Sequence, residues 1–136
     1  MSQLALAVIL AVPLLASAQT LAVKTGAWET TTKSASLPRP MVDKECVTKA
    51  DLAQFAKSPD KDEDDECKFL KAPTLAGNKW SADKKCADGR TVHAEFVVET
   101  PEKVVGTIVS SAPKGGSAIR VEVNARWVGA SCAGIK

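Results

Sequence analysis

The residues whose types and spacing could do chemistry are four cysteines (Cys46, Cys67, Cys86 and Cys132), one histidine (His93) and an acidic run from Asp60 to Glu66. How the sulfurs read depends on the compartment. Leu4 to Leu15 is an apolar stretch broken only by Pro13, and Ala16-Ser17-Ala18 follows it as the small-x-small pattern of a secretory cleavage site. Residues 1–18 therefore read as a signal peptide, with its positive charge supplied by the terminal amine alone, and Gln19 as the first residue of the mature chain. The apolar stretch is about half the length of a membrane helix, which favours a leader over a span, and the mature part has no run of about 18 apolar residues, so no span is expected there. Export to an oxidising compartment, the periplasm, turns an even set of cysteines into two disulfides. Three connectivities are open to four cysteines. The favoured one joins Cys46 to Cys67, closing a helix and the acidic run onto a sheet, and Cys86 to Cys132, tying the last strand to a central one. No two cysteines show the C-x2-C spacing of structural zinc sites.

The other candidates argue mainly by what they lack. Six carboxylates fall within the seven residues 60–66, and Asp60, Asp62 and Asp64 match the opening of a calcium loop. Asp65 then stands where that loop needs Gly, and Lys71 where it needs a bidentate Glu. The run also polarises the chain: residues 1–66 hold 7 basic and 10 acidic side chains, residues 67–136 hold 11 and 6. His93 is expected on an outward strand face between Thr91 and Glu95. No Ser lies in a G-x-S-x-G context that could join it in a triad, and disulfides leave no thiol for a Cys-His pair. Lys114-Gly115-Gly116 follows no phosphate-loop spacing. No catalytic residue, metal or cofactor is expected.

The net charge of +2 is too small to draw nucleic acid by bulk electrostatics. Lys84, Lys85, Arg90, Arg120 and Arg126 are scattered on outward positions rather than interleaved with aromatics. Trp28, Trp80 and Trp127, in a chain with no Tyr, all fall on expected strands. They are read as fillers of an inner sheet face, with a ligand-stacking platform as their functional alternative.

The elements that must position these residues follow from periodicity. With 45% hydrophobic and 25% charged residues, the chain is a folded domain rather than a disordered one. Thr-rich residues 24–34 form a first strand, and Pro38 and Pro40 place a loop after it. Thr48 caps a short helix through Asp51, with Leu52, Phe55 and Ala56 at helical spacing and Ser58-Pro59 at its end. Period-two alternation then marks strands at residues 67–71, 79–86, 90–99, 103–110 and 118–128. Gly77-Asn78, Asp88-Gly89, Pro101-Glu102 and residues 113–117 supply the turns, Asp88-Gly89 as a two-residue type I′ hairpin. Val92, Ala94, Phe96 and Val98 share one face. Ile119, Val121, Val123, Ala125 and Trp127 share another, with Arg120, Glu122, Asn124 and Arg126 behind it. The expectation is a mainly antiparallel six-stranded up-and-down meander, curled into an open or half barrel with one helix, forming a single domain over residues 19–136.

Four segments, taken in order, resemble a known family: Gly26-Ala27-Trp28-Glu29; Cys46-Val47-Thr48 with Asp51-Leu52; Gly77-Asn78-Lys79-Trp80 leading to Cys86; and Trp127-Val128-Gly129 before Cys132. Together they are similar to the DUF3617 family of small exported bacterial proteins, over nearly the whole mature chain. The resemblance implies a periplasmic protein of Gram-negative bacteria with two disulfides and no established activity. Leu37-Pro38-Arg39-Pro40-Met41 is a reduced form of the family's Met- and Pro-rich stretch, and the acidic run is peculiar to this chain. The function expected is a non-enzymatic binding or interaction module whose partner is a periplasmic protein or a small apolar ligand, the latter met by Trp28, Trp80 or Trp127. The alternative is an envelope stress or hydrolase-inhibitor-like protein acting through exposed loops at residues 58–66 and 111–117.

Overall fold

The computed structural model describes residues 21–55, 66–112 and 116–135. The proposed signal peptide and residues 60–65 of the acidic run lie outside them. Strand β1 (Gly26–Ser34) turns through the proline loop into β2 (Met41–Val47), which leads into helix α1 (Lys49–Phe55). After Glu66 come β3 (Cys67–Phe69), β4 (Thr74–Ala76), β5 (Lys79–Cys86), β6 (Thr91–Thr100), β7 (Lys103–Ser110) and β8 (Ile119–Gly129). All eight strands form one antiparallel sheet in the order β2-β1-β8-β7-β6-β5-β3, with β4 also on β5.

Two strands exceed the six expected. β2, Met-Val-Asp-Lys-Glu-Cys-Val, has charges on both faces and no apolar alternation. It is a strand because β1 offers it a full ladder, from Gly26 opposite Val47 to Thr32 opposite Met41. β4 is the second half of an edge that Pro73 interrupts, since proline has no N–H for the ladder; Phe69 pairs with Lys84 and Leu75 with Trp80 on either side of the break. Gly77, at φ 62°, and Asn78 then make the two-residue turn into β5. Between β5 and β6 the loop has three residues rather than two. Cys86 N donates to Arg90 O at 2.8 Å and Gly89 N to Cys86 O at 3.0 Å, with Gly89 at φ 88°. Asp88 completes the loop by accepting from Arg90 N at 3.0 Å.

The sheet is curled and open. Laid flat, β2 and β5 would be five strand spacings apart, about 24 Å. Instead Glu45 and Val47 of β2 border the same interior space as Trp80 of β5. The two edges, β2 and β3 with β4, do not pair with each other, so the form is a half barrel. The chain closes tightly at one place: Gly26 sits at φ 125°, where a Cβ would run into the Gly129 carbonyl, and the β1–β8 register shifts beside it, between Ala27 and Trp28. Across β6 and β7, Phe96 lies over Gly106, where a Cβ would collide with the ring. The glycine thus gives the aromatic ring its seat.

Helix α1 is capped reciprocally, as Thr48 and Asp51 lead one to expect. Asp51 N donates to Thr48 Oγ1 at 3.3 Å, and the Asp51 carboxylate accepts from Thr48 N at 2.7 Å. The Thr48 hydroxyl donates to the same carboxylate at 2.7 Å, and these bonds hold the Asp51 pKa below its usual value.

Two disulfides are present, but they pair Cys46 with Cys132 and Cys67 with Cys86. The pairing expected above, Cys46 to Cys67 and Cys86 to Cys132, is corrected. The reason is strand order: Cys46 on the β2 edge lies beside the β1–β8 junction that Cys132 follows, whereas Cys67 and Cys86 face each other across β3 and β5. The bridges span 86 and 19 residues, so in the chain-entropy model they stabilise the fold by about 4.6 and about 3.2 kcal/mol. Non-reducing peptide mapping is therefore expected to link Cys46 to Cys132 peptides and Cys67 to Cys86 peptides. In urea melts, the Cys46→Ser/Cys132→Ser variant should lose more stability than Cys67→Ser/Cys86→Ser.

Candidate ligand-binding site

The interior of the half barrel is only partly filled. Its buried apolar residues are Ala27, Trp28, Trp80, Ala82, Cys86 and Val98 among the described residues. Alongside them lies an inner cavity of about 320 Å³, within the range of small-molecule sites. Alternate residues of each strand supply its walls because the pleat turns every second side chain inward. Trp28, Thr30 and Thr32 come from β1, Phe96 and Val98 from β6, and Val123 and Ala125 from β8, while Leu52 reaches in from α1. A second, more open space of about 580 Å³ adjoins it, bordered by Asp51, Gln54, Phe69, Pro73, Ala82 and Lys84. Glu45, Val47, Trp80 and Ile108 belong to both linings, so the two spaces are compartments of one trough.

The tryptophans divide by role. Trp28 is 3% exposed and Trp80 9%, and both line the inner cavity. Trp80 also meets Phe96 with ring centroids 5.6 Å apart and planes tilted by 47°. They are core fillers and cavity walls at once, so the two readings of these side chains converge. Trp127 stands outside the described cavity linings. Its indole N–H donates to Thr25 O at 3.0 Å, and the Lys24 ammonium lies 4.5 Å above its ring.

Trp127 grips a strap that sequence reasoning did not single out. Residues 21–25 cross one end of the barrel, and Leu21 and Val23 complete the lining of the inner cavity. The strap is held by Lys24 N donating to Pro101 O at 2.8 Å and by the Trp28 indole donating to Lys24 O at 2.9 Å. An ion pair between Lys24 and Glu102 adds to these bonds. The contribution of β2 was equally hidden, because Glu45 and Val47 become inward residues only through the pairing with β1.

The remaining candidates lie elsewhere. All four sulfurs are in disulfides, which leaves none as a thiolate. His93 is on the outer face, as expected from its alternation. Its Nδ1 is 2.7 Å from Asp83, opposite it on β5, and Nε2 is 3.7 Å from Glu95. Glu95 in turn pairs with Lys79 at 2.9 Å, and that bond lowers its pKa. The hydrogen bond to Asp83, more than the nearby Glu95 charge, raises the His93 pKa above its ordinary 6.5. A raised histidine contributes stability below its unfolded pKa and loses that contribution as pH climbs through the folded value. In an NMR titration the His93 ring is expected to show a midpoint above 6.5, with added salt narrowing the difference. Asp83→Asn should return the midpoint toward 6.5.

Among the described residues no helix is long and apolar enough to cross a membrane. No curated protein and no solved structure matches the chain. A family model described as "Protein of unknown function (DUF3617)" matches residues 23–132. Since that match covers most of the chain, with all eight strands and all four cysteines, the chain belongs to the DUF3617 family.

Proposed function

We propose that this chain is an exported, non-enzymatic binding module that takes a small apolar ligand in the trough of its half barrel. The observation that carries the reading is the inner cavity of about 320 Å³ walled by Trp28 and Trp80. A close-packed interior would leave few voids larger than a water molecule. Apolar walls with a few polar groups, here Thr30, Thr32 and Glu45, are the usual composition of a small-molecule site.

Export to the periplasm is supported by the apolar leader with its Ala16-Ser17-Ala18 site and by two disulfides, which persist in oxidising compartments. A role without catalysis is supported by the state of the reactive groups. The sulfurs are bonded to each other, and His93 is held between Asp83 and Glu95 on the face away from the trough.

The test is fluorescence titration of the oxidised mature protein with N-phenyl-1-naphthylamine, a neutral apolar probe. Saturable emission enhancement with one site per chain is expected. Ala125→Phe places a ring into the inner cavity, where empty space keeps the overpacking penalty small. It should weaken the probe by about tenfold or more while leaving the thermal midpoint near the parent's. No saturable binding by the parent, or full binding by the filled variant, would remove the trough as the site.

A further inference from the structure

The trough changes character along its length, and that change specifies a class of ligand. Its inner compartment is walled by Trp28, Leu52, Phe96 and Val98, while its outer one sets Glu45, Asp51 and Gln54 beside Phe69 and Trp80. An apolar depth opening into a polar mouth fits an apolar ligand that also carries a polar head. At roughly 30 Å³ for each water-sized group, the inner space of about 320 Å³ accommodates an alkyl chain of about ten carbons.

The charge at the junction selects the head. Glu45 lines both compartments and so stands at the neck between them. Its carboxylate accepts a hydrogen bond from the Thr30 hydroxyl at 3.2 Å, and Asp51 accepts from the backbone and hydroxyl of Thr48. Among the described residues neither carboxylate forms an ion pair. One ammonium, that of Lys84, also borders the outer compartment, 4.5 Å above the Phe69 ring on the far side of the trough. The neck itself therefore carries negative charge on a side chain that stays open to solvent, so its pull on a bound charge is greatest at low salt. An anionic head there would be repelled, and a cationic one would be attracted by the carboxylate.

We infer that the trough binds a single-chain cationic amphiphile, its alkyl tail in the inner compartment and its ammonium head at Glu45. This rests on the ligand-binding reading above and narrows it to a chemical class. The test compares three twelve-carbon probes below their micelle-forming concentrations: dodecyltrimethylammonium, laurate and dodecyl maltoside. Binding is read by quenching of tryptophan emission, with near-UV circular dichroism confirming that the fold persists. Dodecyltrimethylammonium is expected to bind about tenfold or more tightly than laurate at low salt, with the gap narrowing at high salt. Glu45→Gln, which keeps an acceptor for Thr30, should weaken the cationic probe by about tenfold and leave dodecyl maltoside unchanged. Within the trimethylammonium series, affinity should rise about fourfold per added methylene up to about ten carbons and then level off. If Glu45→Gln does not fold, the head-group order and its salt dependence in the parent protein still decide. Equal affinity for the three heads, or preference for laurate, overturns the charge assignment while the trough remains a site. Failure of all three to bind overturns the trough reading and this inference with it.

Discussion

The pairing of β1 with β8 is the constraint on which the rest of the structure depends. It joins the first strand to the last along a ladder running from Ala27 opposite Gly129 to Ser34 opposite Val121. Without it β5 to β8 would be a meander with one bare apolar face, and β2 would have nothing to pair with. With it, β2 is carried to the outer edge, and α1 hangs from that edge over the interior. The Cys46–Cys132 bridge ties the edge strand to the tail of β8, directly beside this junction. Gly26 is the local condition for it, because the approach of β1 to the Gly129 carbonyl leaves no room for a Cβ.

The parts of this arrangement that were legible in the sequence are the locally encoded ones. Alternation placed Val92, Ala94, Phe96 and Val98 inward and His93 outward. Thr48 and Asp51 announced the helix start, and Gly77-Asn78 announced a turn. These signals act within a few residues, where side-chain period and turn chemistry are decided. An even set of four cysteines likewise pointed to two bridges. Connectivity did not follow, because it depends on which strands become neighbours, and that is settled by β1 finding β8 across about a hundred residues. β2 was hidden for the same reason. Met41-Val42-Asp43-Lys44 has no apolar rhythm of its own and becomes a strand only against a partner already in place.

The cavity was illegible for a different reason. Three tryptophans on inward positions suggest a filled barrel, since each brings a large apolar surface. Whether they fill it depends on how tightly the sheet curls, and no local pattern records curvature. Trp28 and Trp80 do reach the interior, but the small residues Ala82, Ala94 and Ala125 leave space between the walls among the described residues. Trp127, read as equivalent to the others, is turned to a structural task at the barrel end, where it grips the strap that carries Leu21 and Val23 into the cavity lining.

An interior of this kind is costly to maintain. Each unfilled region forfeits contacts that a packed core would have, and the loss grows with the volume left open. A short chain has little apolar surface with which to offset it. The two bridges act on the other side of the balance, by restricting the unfolded chain rather than by adding contacts to the folded one. Their positions suit that task. One clamps β3 to β5 at one side of the trough, the other clamps β2 to the tail of β8 at the opposite side, and both leave the walls between them free to stay apart. Covalent restraint at the rims is thus what allows a half barrel of this size to keep an open interior, and that would make oxidation of the four sulfurs a precondition for any ligand site it holds.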